Sequence, residues 1–288
     1  MSKDTAYHEI EFKLDADCDD TLREAMAWVQ KSPRIFMPLK DPVPRIMEGR
    51  LLPSFERTRG RVRRYFDSVD LDLFKNGIEI RQEAREKGGY KQMVKIDRPD
   101  NSSDDMMDRD EYPGVCHKIG VDFDEVEDKL IRRRLMNDYG GLKLKPLVVM
   151  VSQRLRLKYH PEGDTGIEIE AAFDVPCCGF ALNKYVWEAP EMELEIIKGP
   201  EKHAAALALL EREAARFKKF GLKRTATSKP TPGFAGMGEF LKGREGQKAF
   251  KNLKLDQEWW MDPDLEVSPV VRPHFAGTTS LARRLRAS

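Results

Sequence analysis

Acids and bases recur at every second position in several short runs of this chain, and the runs sort by sign. Glu9 and Glu11, with Lys13 on the same parity, stand in HEIEFKL at residues 8–14. Glu168, Glu170 and Asp174 stand in GIEIEAAFDV at 166–175, and Glu191, Glu193 and Glu195 in EMELEIIKG at 191–199. Lys91 and Lys95 share a parity in YKQMVKI at 90–96, and Arg154, Arg156 and Lys158 share one in VVMVSQRLRLKYH at 148–160. Between these extremes, Glu79, Arg81, Glu83 and Arg85 form one mixed row, and Arg109 and Glu111 another. Period two puts such residues on one face of a β-strand, with apolar neighbours on the other. A solvated surface mixes signs across adjacent strands, because opposite pairs stabilise and like pairs repel. Sorted signs point instead to charges that line an interior.

The two signs imply different chemistry. Same-face neighbours on a strand lie about 6.5–7 Å apart, and adjacent strands about 4.8 Å apart. If the strands carrying Glu9, Glu11, Glu193 and Glu195 pair, their carboxylates converge and repel strongly unless a cation sits among them. Hard oxygen donors of this type suit Mg2+ or Mn2+. On the basic side, Arg81, Lys91, Lys95, Arg109, Arg154, Arg156 and Lys229 are more cations than a single carboxylate ligand needs, and they match a polyphosphate.

The elements that must position these residues are mostly strands. Alternation predicts eight of them, at 8–14, 61–67, 77–86, 90–96, 107–113, 148–160, 166–175 and 191–198. Lys87-Gly88-Gly89 is a hairpin turn signal. Helices are expected over 19–31, where Asp19 precedes an amphipathic run that stops before Pro33, over 123–138, with Val126, Leu130 and Ile131 as its apolar stripe, and over 200–219, with Leu207, Leu210, Ala214 and Phe217 on one side. The fold class is therefore mainly β with flanking helices, and eight alternating strands in one unit suit a closed antiparallel barrel. The expected domain covers 1–234, with an irregular Pro-rich insertion at 33–57. An extension at 235–288 follows, packed in part on the domain, its ARRLRAS end disordered.

Composition narrows the partners. Of 288 residues 34% are charged, yet the net charge is only +1, which argues against a globally basic nucleic-acid binder and against an acidic disordered chain. No apolar run approaches the ~18 residues of a membrane helix. The polar start and four cysteines without zinc-type spacing give a cytoplasmic protein with reduced thiols as the expectation.

Taken in order, these segments resemble the CYTH superfamily, the triphosphate tunnel metalloenzymes. Glu9-Ile10-Glu11-Phe12-Lys13 looks like the family's ExExK motif, and YFDSVDLDLFKNGIEIR at 65–81 like its YFDT…L…G..LR segment. YKQMVK looks like the lysine-bearing hairpin strand, EIEAAFD and EMELEIIKG like the late acidic strands, and SKPTPGF at 228–234 like the SK…G segment that closes the domain. The resemblance spans residues 7–234. It implies an eight-stranded antiparallel barrel whose interior is charged, and metal-dependent hydrolysis of a small triphosphate, inorganic triphosphate first. Lys91, Lys95, Arg81 and Arg109 would then hold phosphate oxygens and offset developing charge, with Lys13, Arg154, Arg156, Lys158 and Lys229 binding substrate. Glu9, Glu11, Glu193 and Glu195, with Glu170 and Asp174, would hold one or two Mg2+ or Mn2+ ions. Adenylate cyclisation and non-catalytic polyphosphate binding are the rival activities. Two positions depart from the family pattern. Glu83 stands where a second arginine is usual, and is expected to pair with Arg81 or Arg85; Pro113 replaces the second acid of the R-x-E-x-E strand.

Overall fold

Residues 7–17, 19–30, 46–47, 50–51, 61–85, 88–98, 107–159, 167–198, 203–225, 227–257 and 259 are described in this computed structural model. The strands, in chain order, are β1 (Tyr7–Asp15), β2 (Ile46–Met47), β3 (Arg50–Leu51), β4 (Arg61–Asp67), β5 (Ile78–Ala84), β6 (Tyr90–Asp97), β7 (Met107–Cys116), β8 (Lys145–Tyr159), β9 (Glu168–Ala181), β10 (Val186–Glu188), β11 (Glu191–Lys198) and β12 (Lys223–Thr225). The helices are α1 (Asp19–Gln30), α2 (Asp72–Lys75), α3 (Lys129–Tyr139), α4 (His203–Phe217), α5 (Thr231–Ala235), α6 (Gly238–Lys242) and α7 (Arg244–Asn252).

The protein is mainly antiparallel β with flanking helices. Its main sheet has ten strands and a path β9-β11-β1-β7-β6-β5-β4-β8; β8 also pairs β9, which returns the hydrogen-bonded path to its first strand. β10 lies beside β9 and β12 beside β1, while β2 and β3 pair as a separate two-stranded sheet. The β5–β6 hairpin turns on Gly88 and Gly89, at φ +84° and +73°, a backbone region that costs glycine nothing. A side chain at Gly89 would also fall 2.8 Å from the Cys116 carbonyl oxygen.

The apolar faces of the strands are covered by helices. Phe12, Leu14, Ile169, Ala171, Phe173, Met192 and Leu194 pack against Leu22 and Met26 of α1 and Leu210 and Phe217 of α4. Ile78, Ile80, Val94 and Tyr112 pack against Leu73 of α2, Phe123 of a 3-10 turn and Leu135 of α3. Each such side chain, fully buried, contributes about 1.5–3 kcal/mol. α2 itself is held by Asp67, whose carboxylate accepts from the backbone N–H of Ser68, Leu73 and Phe74 at 2.7, 3.0 and 2.9 Å. Burial nevertheless pushes that carboxyl up to about 6. Two buried amides, Gln82 and Gln92, bond the loop backbone at Gly120 and Asp122 in both directions, at 2.6–3.0 Å, and fix it against β5 and β6.

The single helix expected over 123–138 is two elements. A 3-10 turn at Phe123–Glu125 ends before Asp128, which caps α3 by accepting from Leu130 and Ile131 N–H at 2.8 and 3.0 Å. Phe123 and Val126 are buried there, but Leu130 is 78% exposed, because the cap resets the helix one turn later. Short elements without strong periodicity, namely α2, β10, β12, α5 to α7 and the β2–β3 pair inside the segment expected to be irregular, lie outside the sequence expectation.

Beyond residue 234, α6 and α7 dock on the sheet. Phe234, Met237, Leu241, Phe250 and Leu253 share a cluster with Leu147, Val148, Met150 and Trp187. Lys145, buried at the start of β8, donates to the carbonyls of Phe250, Lys251 and Leu253 at 2.6, 2.9 and 2.6 Å. Trp187 lies against Gly179 and Gly233, where added side chains would fall 2.2 and 2.5 Å from its ring. Cys116, Cys177 and Cys178 are free and buried. No described helix is long and apolar enough to cross a membrane. Most of the 33–57 insertion, Cys18 and the ARRLRAS end lie outside the described residues.

Candidate functional site

Strand register, rather than sequence proximity, assembles the charges. β1 against β11 sets Glu11 beside Glu195, Lys13 beside Glu193 and Asp15 beside Glu191. β11 against β9 sets Glu195 beside Glu170 and Glu191 beside Asp174. β9 against β8 sets Asp174 beside Arg154 and Glu170 beside Lys158. On the other half, Arg63 is opposite Glu83, Glu83 opposite Lys91, Glu79 opposite Lys95, Lys95 opposite Glu111, and Arg109 opposite both Asp97 and Glu9. Glu11, Lys13, Arg63, Lys95, Arg109, Glu170, Asp174, Glu191 and Lys229 are each at most 5% exposed. At Glu11 and Lys13 the charged face of HEIEFKL is therefore not a solvated one: both are buried like the apolar Phe12 and Leu14 on its other side.

The acidic rows carry cations of the chain's own. Lys229, on the loop between β12 and α5, reaches Asp174, Glu191 and Glu193 at 2.8, 2.7 and 2.6 Å. Arg154 grips Asp174 with Nε at 2.8 Å and Nη2 at 2.5 Å, and Glu193 at 2.6 Å. Lys13 stands 3.4, 3.7 and 3.9 Å from Glu11, Glu191 and Glu193. Burial alone would raise these acids, but Arg154 and then Lys229 hold Asp174 and Glu193 well below the usual carboxylate range. The same carboxylates push Arg154 and Lys229 well above their ordinary values despite burial. Glu191 is the exception. Burial, with the Glu193 carboxylate beside it, pushes it up to about 7, against Lys13 and Lys229.

The other wall is mixed. Arg109 lies 3.4 Å from Glu79 and 3.2 Å from Asp97, and Arg81 3.6 Å from Glu79. Against its burial, Arg109 and then Arg81 hold Glu79 down at about 2. Lys95 pairs with Glu111 at 2.5 Å. Lys91 reaches solvent, and partial burial and then Arg81 lower its pKa. Arg156, whose side chain is 49% exposed, pairs with Glu170 at 3.2 Å.

The sequence-predicted residues thus divide. Lys13, Arg154, Lys229, Asp174 and Glu193 form one ion-pair cluster, Arg81, Lys95 and Arg109 belong to the mixed wall, and half-exposed Arg156 pairs with buried Glu170. Glu9 and Lys158 are placed by backbone register alone. Glu83 does not pair with Arg81 or Arg85 as expected: its carboxylate lies 3.4 Å from Arg61 and 3.8 Å from Arg63, because β4 runs antiparallel beside it. Arg61 and Arg63 are the residues sequence reading missed. Their alternation in RVRRYFD was visible, but the Arg63-Arg64 doublet hides its parity.

For a divalent cation the donors fit at one level. Glu11, Glu195 and Glu170 are neighbours in register on three adjacent strands, and Glu11 Oε1 is buried with no hydrogen-bond partner among the described residues. Among the described residues, no three His, Cys, Asp or Glu side chains close on a common point as they stand. Asp174 and Glu193 have their charge answered by Arg154 and Lys229.

No family model and no curated protein matches the chain. Solved structures do. One is described as an adenylyl cyclase candidate from Hippeastrum that reveals a dominant triphosphatase activity; it is 16% identical over 79% of this chain and 96% of its own, with a TM-score of 0.45. Adenylate cyclase candidates from Bacillus halodurans and Vibrio parahaemolyticus are each 13% identical, over 80% and 77% of this chain and 99% and 94% of theirs, with TM-scores of 0.48 and 0.37. At such identities and scores the chemistry has to come from the site's own residues.

Proposed function

We propose that the chain is a CYTH-type phosphohydrolase. In this reading the circuit of eight strands is a closed barrel, its charged face lines a tunnel, and a small triphosphate, inorganic triphosphate first, is cleaved there with Mg2+ or Mn2+. The observation that carries the reading is the set of buried cations, Lys13, Arg63, Lys95, Arg109 and Lys229, with Arg154 10% exposed beside them, spread over five strands and a loop yet each ion-paired with the acids of the charged rows. Desolvating that many cations costs several kcal/mol each, a cost that a packed apolar core would avoid. A polyanionic substrate gives it a use.

Lys95, Arg109, Arg81 and Lys91 would hold phosphoryl oxygens. Lys95 would exchange its Glu111 partner for one of them, and its fixed charge would offset the charge that develops during transfer. Glu11, Glu195 and Glu170 would hold the metal ion, with Glu9 adjoining. A divalent ion held there would polarise a phosphoryl oxygen and lower the pKa of a water. Lys229 and Arg154 would keep Asp174 and Glu193 ionised and fixed beside it.

Orthophosphate release by the full chain from inorganic triphosphate, ATP and thiamine triphosphate, with Mg2+ or Mn2+, tests this. Turnover of inorganic triphosphate that stops with EDTA and returns with metal is expected. Cyclic AMP from ATP would replace the reading with cyclisation. Saturable binding without turnover would favour a polyphosphate-binding module, a second reading supported by the way Arg154 and Lys229 already occupy Asp174 and Glu193.

A further inference from the structure

Arg63 is 1% exposed, and its Nε and both Nη atoms have no hydrogen-bond partner among the described residues. The carboxylates near it stand off, Asp174 at 3.6 Å and Glu83 at 3.8 Å. Asp174 is already engaged by Arg154 and Lys229 at 2.5 and 2.8 Å. A buried guanidinium has five N–H donors in a rigid fork, and leaving them without acceptors costs far more than any single hydrogen bond returns. Tyr65, two residues on along the same strand, is by contrast buried among apolar neighbours.

The surroundings add positive charge. Arg61 shares the charged face of β4 and opens to solvent, its side chain 31% exposed. Burial, and then Arg63, Arg156 and Arg154, lower it to about 10 despite Glu83. Among the described residues, Glu83 is the one carboxylate these two arginines share. Its side chain is 29% exposed, and its contacts are long, 3.4 Å to Arg61 and 3.8 Å to Arg63. The arrangement is two guanidinium groups, one solvent opening and one loosely held counter-ion. A phosphoryl group offers the tetrahedral set of acceptor oxygens that such forks bind.

We propose that Arg63, with Arg61, is a phosphoryl-binding subsite on β4, and that Glu83 is the counter-ion that bound phosphate displaces. The proposal rests on the triphosphate reading. It adds Arg61 and Arg63, to which neither the sign-sorted runs nor the resemblance assigns a role, and it makes Glu83 a resident competitor of the substrate.

Calorimetric titration of the full chain with inorganic triphosphate, and separately with pyrophosphate, tests it. Arg63→Gln is expected to weaken triphosphate binding roughly ten- to a hundredfold, the size of a charge-assisted contact. Arg63→Lys, which keeps the charge but loses the fork, should weaken it by about tenfold. Glu83→Gln should tighten it severalfold, most clearly at low salt, an effect that a merely structural ion pair would not produce. If the wild-type chain binds and the folded Arg63 variants bind equally well, the subsite is wrong and the tunnel reading stands. Unchanged affinity in Glu83→Gln removes the displaced counter-ion. A wild-type chain that takes up neither anion overturns both readings. Should Arg63→Gln fail to fold, Arg63→Lys and Glu83→Gln decide.

Discussion

Lys145 and Lys229 are two buried lysines with the same exposure, 5%, and each directs its ammonium to three oxygens. The oxygens differ. Lys145 meets the Phe250, Lys251 and Leu253 carbonyls, which carry partial charge, and burial lowers its pKa. Lys229 meets three carboxylates, and their full charges raise its pKa in spite of deeper desolvation. The first is a clamp for the C-terminal end of α7, where carbonyls lack helical partners. The second is a component of a charge balance. Identical chemistry on the side chain gives either a fastening or an electrostatic element, according to what the fold brings to it.

This contrast can be broken most directly at Lys229. Lys229→Met leaves Asp174, Glu191 and Glu193 with one fewer cation in a desolvated site, and should cost about 3–5 kcal/mol in urea denaturation. A smaller loss than that of Lys145→Met would remove the distinction. Lys145→Met should cost about 1–3 kcal/mol, the penalty of unpaired buried carbonyls. Its effect should be local, with faster amide hydrogen exchange over 244–252 and unchanged triphosphate affinity. Unchanged exchange there would show that α7 does not depend on the clamp.

The smallest expected effect is in pH. Glu191 sits at about 7 in the fold against an ordinary value of 4.5, so between these the folded chain holds a proton the unfolded chain has released. Its stabilising contribution is complete below 4.5 and is lost as pH rises toward about 7. Asp174 and Glu193, held low, act in the opposite sense: their contribution is present above the ordinary carboxylate values and is lost on acidification below them. Thermal melts of the wild type and Glu191→Gln should therefore diverge as pH rises through that window, the variant having the flatter profile. Parallel profiles would mean that Lys229 satisfies all three carboxylates after all.

Much of this was legible in residue order. Alternation located the eight long strands to within about three residues, except that β9 runs six residues past its expected end, because one apolar and one charged face leave no ambiguity of period. Alternation also gave the charged face a purpose. What it did not contain was who answers whom. Four converging carboxylates, Glu9, Glu11, Glu193 and Glu195, suggested a cation among them; the order of residues did not show that Lys13 stands near two of these acids, Glu11 and Glu193, and that Lys229, on a loop far along the chain, reaches Glu193. Register across antiparallel strands likewise gave Glu83 partners from β4 rather than from its own strand. Asp128 outcompeted the periodicity around it, since a cap satisfies orphan N–H groups that an apolar stripe cannot.

The Trp187 contact with Gly179 and Gly233 reaches further than packing. Gly233 follows Lys229 by four residues, across the Ser228–Thr231 turn, whose backbone and hydroxyl bonds are 2.9 and 2.8 Å. With no Cβ at Gly179 or Gly233, the indole and α5 settle at a separation that no other residue pair permits. The backbone carrying Lys229 therefore has one seat, and the ammonium is delivered to the acidic rows from that seat. The electrostatic setting of the buried acids is in this sense a mechanical quantity: it is adjusted by how closely a tryptophan on β10 lets the loop approach, with no change to any charged residue.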